Sequence, residues 1–187
     1  MFETDKSRSR TASLPTMLVL VGLGAVVLTL SSYVAIPIGP VPITMQTLAV
    51  TAIGALYGPR LGAGTVLGWL ALGAMGIPVF ASGAGGLEHL RGATAGYLWA
   101  FPVAAGVTGW LVARGWNEDR KALALLAMLI GNLICLTLGA SWLAVQIGPV
   151  GAIEAGFLPF LVGAGVKAGL GVGVLLLANK LEMTRLG

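Results

Sequence analysis

The chain has 187 residues, of which 57% are hydrophobic and 10% charged, with a mean hydropathy of +0.93, a net charge of +4 and a pI near 9.6. Soluble domains carry about 25% charged residues, so a water-soluble globular fold is excluded. The apolar residues come in long runs without the alternation that a membrane β-barrel requires, and the expectation is an all-α membrane protein.

Residues 1–13 are polar and basic, with Lys6, Arg8 and Arg10, and read as a cytoplasmic N-terminal segment. The following run is too long, and followed too soon by another, for a cleaved secretory signal. Residues 15–36 contain no ionisable group except Tyr33, long enough for a helix to cross a hydrocarbon layer of roughly 30 Å. Charge-poor stretches follow at 44–57, 61–76, 93–113, 122–146 and 155–178, giving six transmembrane helices within a domain of residues 14–180, then a cytoplasmic tail at 181–187. The second span is short and is expected to be tilted or partly interfacial. Small residues recur four apart at Gly54, Gly58 and Gly62, at Gly64 and Gly68, and at Gly165, Gly169 and Gly173. Lipid supplies no hydrophobic drive between helices, so these predict close helix packing. The single cysteine, Cys135, falls inside the fifth span and predicts a packed thiol, with no disulfide and no metal site.

Basic residues set orientation in short connections. Lys6, Arg8, Arg10, Arg60, Arg114, Arg120, Lys121, Lys180 and Arg185 fall on one set of span ends, and the opposite connections carry only Arg91. Both termini are therefore expected to be cytoplasmic. This bias accounts for the net positive charge, and no nucleic-acid partner is expected.

The polar residues that remain must be buried or lie at the outer mouth. Lys167 lies in the middle of the sixth span, where a lysine costs roughly 2.5–3.5 kcal/mol on insertion scales. No acidic residue in the spans could neutralise it, which points to a ligand anion such as a carboxylate. The connection at 36–47 holds three prolines that forbid a continuous helix and favour extended backbone; it reads as a lid that presents Thr44 and Gln46, with helix capping by Thr44 as the alternative. The connection at 77–92 is glycine-rich, Gly85 among its glycines, so that a ligand could approach main-chain N–H groups; it also holds His89 and Arg91. It lacks the lysine of a phosphate-binding loop. Ser82 and His89 share one outward connection and do not meet within the membrane, so catalysis is not expected. Thr94, Tyr97 and Asn132 complete the candidate ligand-binding set, with helix–helix hydrogen bonding or interfacial anchoring as alternatives for Tyr97 and Asn132.

Three segments carry a family resemblance: IPIGPVPITMQTLAV at 36–50, GALYGPRLGAGTVLGWLALGAMGIPVFASGAGG at 54–86 and TAGYLWAF at 94–101. In this order, across nearly the whole chain, they resemble the biotin-specific substrate-binding subunits (S components) of energy-coupling factor transporters, the BioY family. The resemblance implies a six-helix S-component fold in the bacterial cytoplasmic (inner) membrane, biotin as ligand, and as partners a transmembrane coupling subunit and a pair of cytoplasmic ATPases, in a lipid surround. It implies no cofactor, and it leaves a homo-oligomer open. It also implies a coupling-subunit contact on the first helix, where Gly22, Ala25 and Thr29 are the nearest match to the family's alanine pair. Many relatives carry an aspartate three residues before the lysine of the sixth span; this chain has Ala164 there.

On that reading the biotin carboxylate goes to Arg91 or Lys167, the ureido group to Gln46, Asn132 and Thr94, and the thiophane ring to Tyr97. An S component for another vitamin or a lipoate-like acid is the nearest alternative.

Overall fold

The computed structural model describes residues 13–186, with side chains as far as Leu181. Helix α1 spans Leu14–Tyr33, with Pro15 in its first turn, where the missing N–H has no helical partner to lose. It buries only the stripe Gly24, Leu28 and Ser32; a four-residue spacing places these on one face. Leu18, Leu23, Val26 and Leu30 are exposed, as expected of a helix bathed in lipid. Strands β1 (Ala35–Ile36) and β2 (Ile43–Thr44) then pair antiparallel, Ala35 with Thr44 and Ile36 with Ile43, so the proline-rich connection is an extended hairpin.

Helix α2, Gln46–Ala74, is not straight. Gly58 has φ 79° and ψ 175° and is followed by Pro59, a left-handed φ that glycine adopts without a Cβ clash beside a residue that cannot donate to the helix ladder. In a straight helix residues eight apart would be separated by about 12 Å. Here a Cβ built on Gly62 would meet the Gly54 Cα at 2.9 Å. The chain therefore doubles back into two helical arms, 46–57 and 59–74, which correspond to the expected second and third spans. The first arm is about 18 Å long, too short to cross the hydrocarbon upright.

Residues 77–92 form an irregular connection with two short 3₁₀ turns, Ala81–Gly83 and Leu87–Leu90. Helix α3 is Ala95–Ala113, α4 is Lys121–Ile147, α5 is Pro149–Gly156 and α6 is Leu158–Leu186. Among the described residues, four helical stretches are long and apolar enough to cross a membrane: Leu14–Tyr33, Ala95–Ala113, Glu118–Ile147 and Pro149–Leu181. Against the expected six spans, the structure has four helices long and apolar enough to cross and the α2 hairpin in place of the second and third. The expected connection between the fifth and sixth spans is instead α5: Gly148, at φ 82°, ends α4, and Pro149 starts a new helix. The N-terminal segment 1–13 lies outside the described residues except for Ser13. Residues 181–186 continue α6, with Gly187 outside the description.

Side-chain bonds gather three connections at one end of the bundle. Ser32 Oγ donates to Val79 O and Tyr33 OH to Pro78 O, each at 2.7 Å. Trp142 Nε1 and Gln146 Nε2 donate to Gly92 O at 3.0 and 3.1 Å, and Tyr97 OH donates to Gly156 O at 2.7 Å. The opposite end holds the Gly58 turn and the connection 114–120, where the Arg114 guanidinium lies 3.6 Å above the Trp110 ring, a cation–π pair.

The small-residue expectation holds in part. A Cβ on Gly54 would run into the Ala105 backbone, and one on Gly109 into the backbone of Gly54, Gly58 and Pro59, so the α2 hairpin docks on α3 backbone to backbone. Gly64, Gly68, Gly165, Gly169 and Gly173 have nothing within 4 Å of that position; they do not mediate packing within this chain. Trp69 is fully buried, edge-on to Phe80 with centroids 5.2 Å apart, and its indole N–H donates to Thr29 Oγ1 at 3.2 Å.

Candidate ligand-binding site

The end that gathers the three connections holds a partly open cavity of about 230 Å³, several times the ~30 Å³ share of a water molecule. The β-hairpin, the first turn of α2 and the 77–92 connection close it on one side, and α3, α4 and α6 wall it on the other. Six of the eight candidate residues from the sequence meet there: Thr44, Gln46, Thr94, Tyr97, Asn132 and Lys167. Arg91 and Gly85 are not in its wall. Arg91 is exposed on the outer side of the 77–92 connection, and Gly85 packs against the backbone of Gly76 and Ile77. Of the two cations considered for a ligand carboxylate, only Lys167 lines the cavity.

Lys167 is 8% exposed although it sits mid-helix. Its Nζ donates to Thr47 Oγ1 at 3.2 Å, and no carboxylate lines the cavity among the described residues. One of the three ammonium protons is thus used within the protein, and the charge has no protein counterion in the wall. A buried charge without a partner is costly, and an anionic ligand removes that cost.

The neutral polar groups are arranged by short local bonds. The Gln46 backbone N–H donates to Thr44 Oγ1 at 3.3 Å and the Thr44 hydroxyl donates to Gln46 Oε1 at 2.9 Å. Thr44 does not cap α2 in the way the alternative reading held: the N-cap is Met45, with no side-chain cap bond, and Thr44, one residue earlier, receives only the N–H of the first helical residue while lining the cavity. Asn132, on α4, donates through Nδ2 to Met128 O at 2.9 Å. Most of the remaining wall is apolar and aromatic, with Phe80, Leu98, Phe101, Leu136 and Phe160, and Ser82 and His89 of the 77–92 connection also line it; the Tyr97 and Phe160 rings lie 6.5 Å apart. Tyr97 is fixed twice, by its bond to Gly156 O and by the close packing of its ring over Gly139. Tyr97→Phe strands the Gly156 carbonyl, so the ligand-free protein is expected to lose about 1 kcal/mol of stability, read as a lower midpoint of thermal unfolding in detergent.

Sequence reasoning did not single out Thr47, Phe80, Phe101 or Phe160 as wall residues. For Phe160 and Ala164 a signal existed: they lie seven and three residues before Lys167, one helical face. Thr47 carried none, since it reads as an ordinary residue of an apolar helix. On α1, Ala25 and Thr29 are half-buried against α2, with the Thr29 hydroxyl bonded to Ala25 O and to Trp69, whereas Gly22 is open. The stripe named for the coupling contact thus runs along the seam between α1 and α2.

A helical membrane protein with a partly open, largely apolar cavity lined by a buried lysine at one end is a small-molecule-binding membrane subunit. The BioY family model matches residues 5–183, and the chain belongs to the BioY family. It is 37% identical over 163 residues to the probable biotin transporter BioY of Pyrococcus horikoshii, covering 87% of this chain and 94% of that one. It is 32% identical over 169 residues to the biotin transporter BioY of Thermotoga maritima, covering 90% and 98%. Among solved structures it is similar to the S-component for biotin from an ECF-type ABC transporter, with a TM-score of 0.80, 26% identity and coverage of 89% of this chain and 92% of that one.

Proposed function

We propose that this chain is the biotin-binding membrane subunit of an uptake system energised by a separate coupling subunit and ATPases, and not an enzyme. The observation that carries the reading is Lys167, a buried cation in a cavity that no carboxylate lines among the described residues. Biotin offers one carboxylate, an apolar valeryl chain and bicyclic body, and a neutral ureido group. Lys167 takes the carboxylate, the aromatic wall takes the apolar body, and Gln46, Asn132 and Thr94 serve the ureido head. Burying that head without partners would cost several kcal/mol, so ligands lacking it are excluded as well as ligands lacking the charge.

The six-span topology in the bacterial cytoplasmic membrane, with both termini cytoplasmic, is part of the same proposal. The basic residues at 60, 114, 120 and 121 support it, since they lie at the end away from the cavity and the positive-inside bias then turns the cavity outward. The chain has no phosphate-binding motif, which fits energy supplied by other subunits. The exposed side of α1, beside Gly22, is the surface proposed for the coupling partner.

Equilibrium binding of biotin to the detergent-purified chain tests the reading, with desthiobiotin, lipoate, thiamine and riboflavin as competitors. Biotin should bind and resist displacement by lipoate, thiamine and riboflavin. Lipoate competing as an equal would shift the assignment to a general carboxylic-acid carrier, and folded protein that binds no biotin would refute it.

A further inference from the structure

Gln46 is 5% exposed and lines the cavity, and its Nε2 is a buried donor with no partner. Buried polar groups are nearly always paired, and an orphan in a native site needs an explanation. The local bonds show why the amide points as it does. The Gln46 backbone N–H can only donate, so Thr44 Oγ1 accepts it; the Thr44 hydroxyl proton then goes to Gln46 Oε1. Thr44 thus occupies the acceptor end of the amide and leaves its two N–H donors unpartnered. Asn132 is set the opposite way, because its Nδ2 is bonded to Met128 O and its Oδ1 is left as an acceptor. Within a wall that also carries Thr94, Ser82 and His89, the two amides thus present a neutral donor and a neutral acceptor, apart from the ammonium of Lys167.

We infer that Gln46 is a specificity-determining hydrogen-bond donor to the carbonyl oxygen of the ligand's ureido group, and that Thr44 is a positioning residue that fixes the polarity of the Gln46 amide. This rests on the biotin reading above and refines it: Gln46 supplies N–H groups to the carbonyl, the ureido N–H groups fall to Asn132 Oδ1, and Thr44 acts through Gln46. A urea presents an acceptor flanked by donors and so matches such a pair. A carboxylate presents acceptors only and would leave Asn132 Oδ1 unmatched.

The probe is 2-iminobiotin, which at neutral pH carries a guanidinium, so that N–H donors replace the carbonyl oxygen while the carboxylate and ring are kept. The wild-type protein should bind it at least tenfold more weakly than biotin, because donor meets donor. Gln46→Glu places an acceptor there and should lower the ratio of the two dissociation constants by about tenfold or more. Repulsion between the added carboxylate and the ligand carboxylate is common to both ligands and cancels in the ratio, which therefore reads the attraction at the ureido or guanidinium position. Thr44→Val should narrow the same ratio several-fold while leaving the ratio of biotin to biotin methyl ester unchanged, and Thr44→Ser, which keeps the hydroxyl, should restore it. The methyl ester ratio reads the Lys167 contact, which a merely structural effect of Thr44→Val would move along with the rest. A 2-iminobiotin ratio unchanged in both Gln46→Glu and Thr44→Val, with biotin still bound, would overturn the inference and leave the biotin reading intact. No biotin binding by folded wild-type protein would remove both.

Discussion

Lys167→Met should weaken biotin binding about a hundredfold and raise the thermal midpoint of the ligand-free protein. The two effects have opposite signs because they concern different states. With biotin bound, the ammonium and the carboxylate form a pair shielded from water, and stranding one member of such a pair costs about 3 kcal/mol or more, which is two decades in dissociation constant. Without ligand the same ammonium is 8% exposed, with Thr47 Oγ1 as its one hydrogen-bond partner among the described residues. Methionine fills similar volume with no charge to desolvate, so the empty protein gains stability. Titration calorimetry and thermal unfolding of the two proteins measure both effects. Biotin methyl ester closes a thermodynamic cycle: it should bind the wild type about as poorly as biotin binds the variant, and the variant should barely distinguish the two ligands. A variant that loses biotin and its ester equally would show that Lys167 supports the fold and does not hold the carboxylate.

Gly109→Val should abolish recovery of monodisperse protein in detergent, while Gly68→Val should leave it near the wild-type level. Both glycines sit in apolar helices and are alike by composition. A Cβ on Gly109, however, would enter the backbone of Gly54, Gly58 and Pro59, whereas one on Gly68 meets nothing within 4 Å. Backbone cannot move aside as a flexible side chain does, so the α2 hairpin would have to separate from α3. Overpacking a close-packed core costs typically 1–3 kcal/mol even where side chains can repack, and more is expected here. Size-exclusion profiles and unfolding midpoints decide the matter. Equal behaviour of the two variants would mean that the hairpin is not held by this contact.

The sequence disclosed a helical membrane protein through its long charge-poor runs, and Lys167 through its cost inside a span. Tyr97, Asn132, Gln46, Thr44 and Thr94 were found because polar groups are scarce in such a chain and each must face something. Arg91 was drawn into the same list by charge alone, and charge does not reveal which side of a connection a residue faces. The glycines posed a related difficulty. Gly54 and Gly64 look alike as letters, and only the reversal at Gly58 decides which meets a neighbouring backbone. Helix α5 was read as a connection because eight residues opening on a proline carry little periodicity. The polarity of the Gln46 amide was beyond the sequence altogether, since it depends on a hydroxyl two residues away accepting one proton and donating another.

The turn at Gly58 also settles a matter of counting. Because α2 folds back on itself, it leaves the bundle at the end where it entered, and α3 begins beside the cavity rather than opposite it. The four long apolar helices and the two arms make an even number of passes along the bundle, so α1 begins and α6 ends at the end away from the cavity. If residues 57–60 formed an unbroken helix, α3, α4 and α6 would each run in the reverse sense and the face of α6 that carries Lys167 would open toward the other end of the bundle. One left-handed glycine therefore holds the parity of the described helices and, on the topology proposed above, the compartment from which a ligand is drawn.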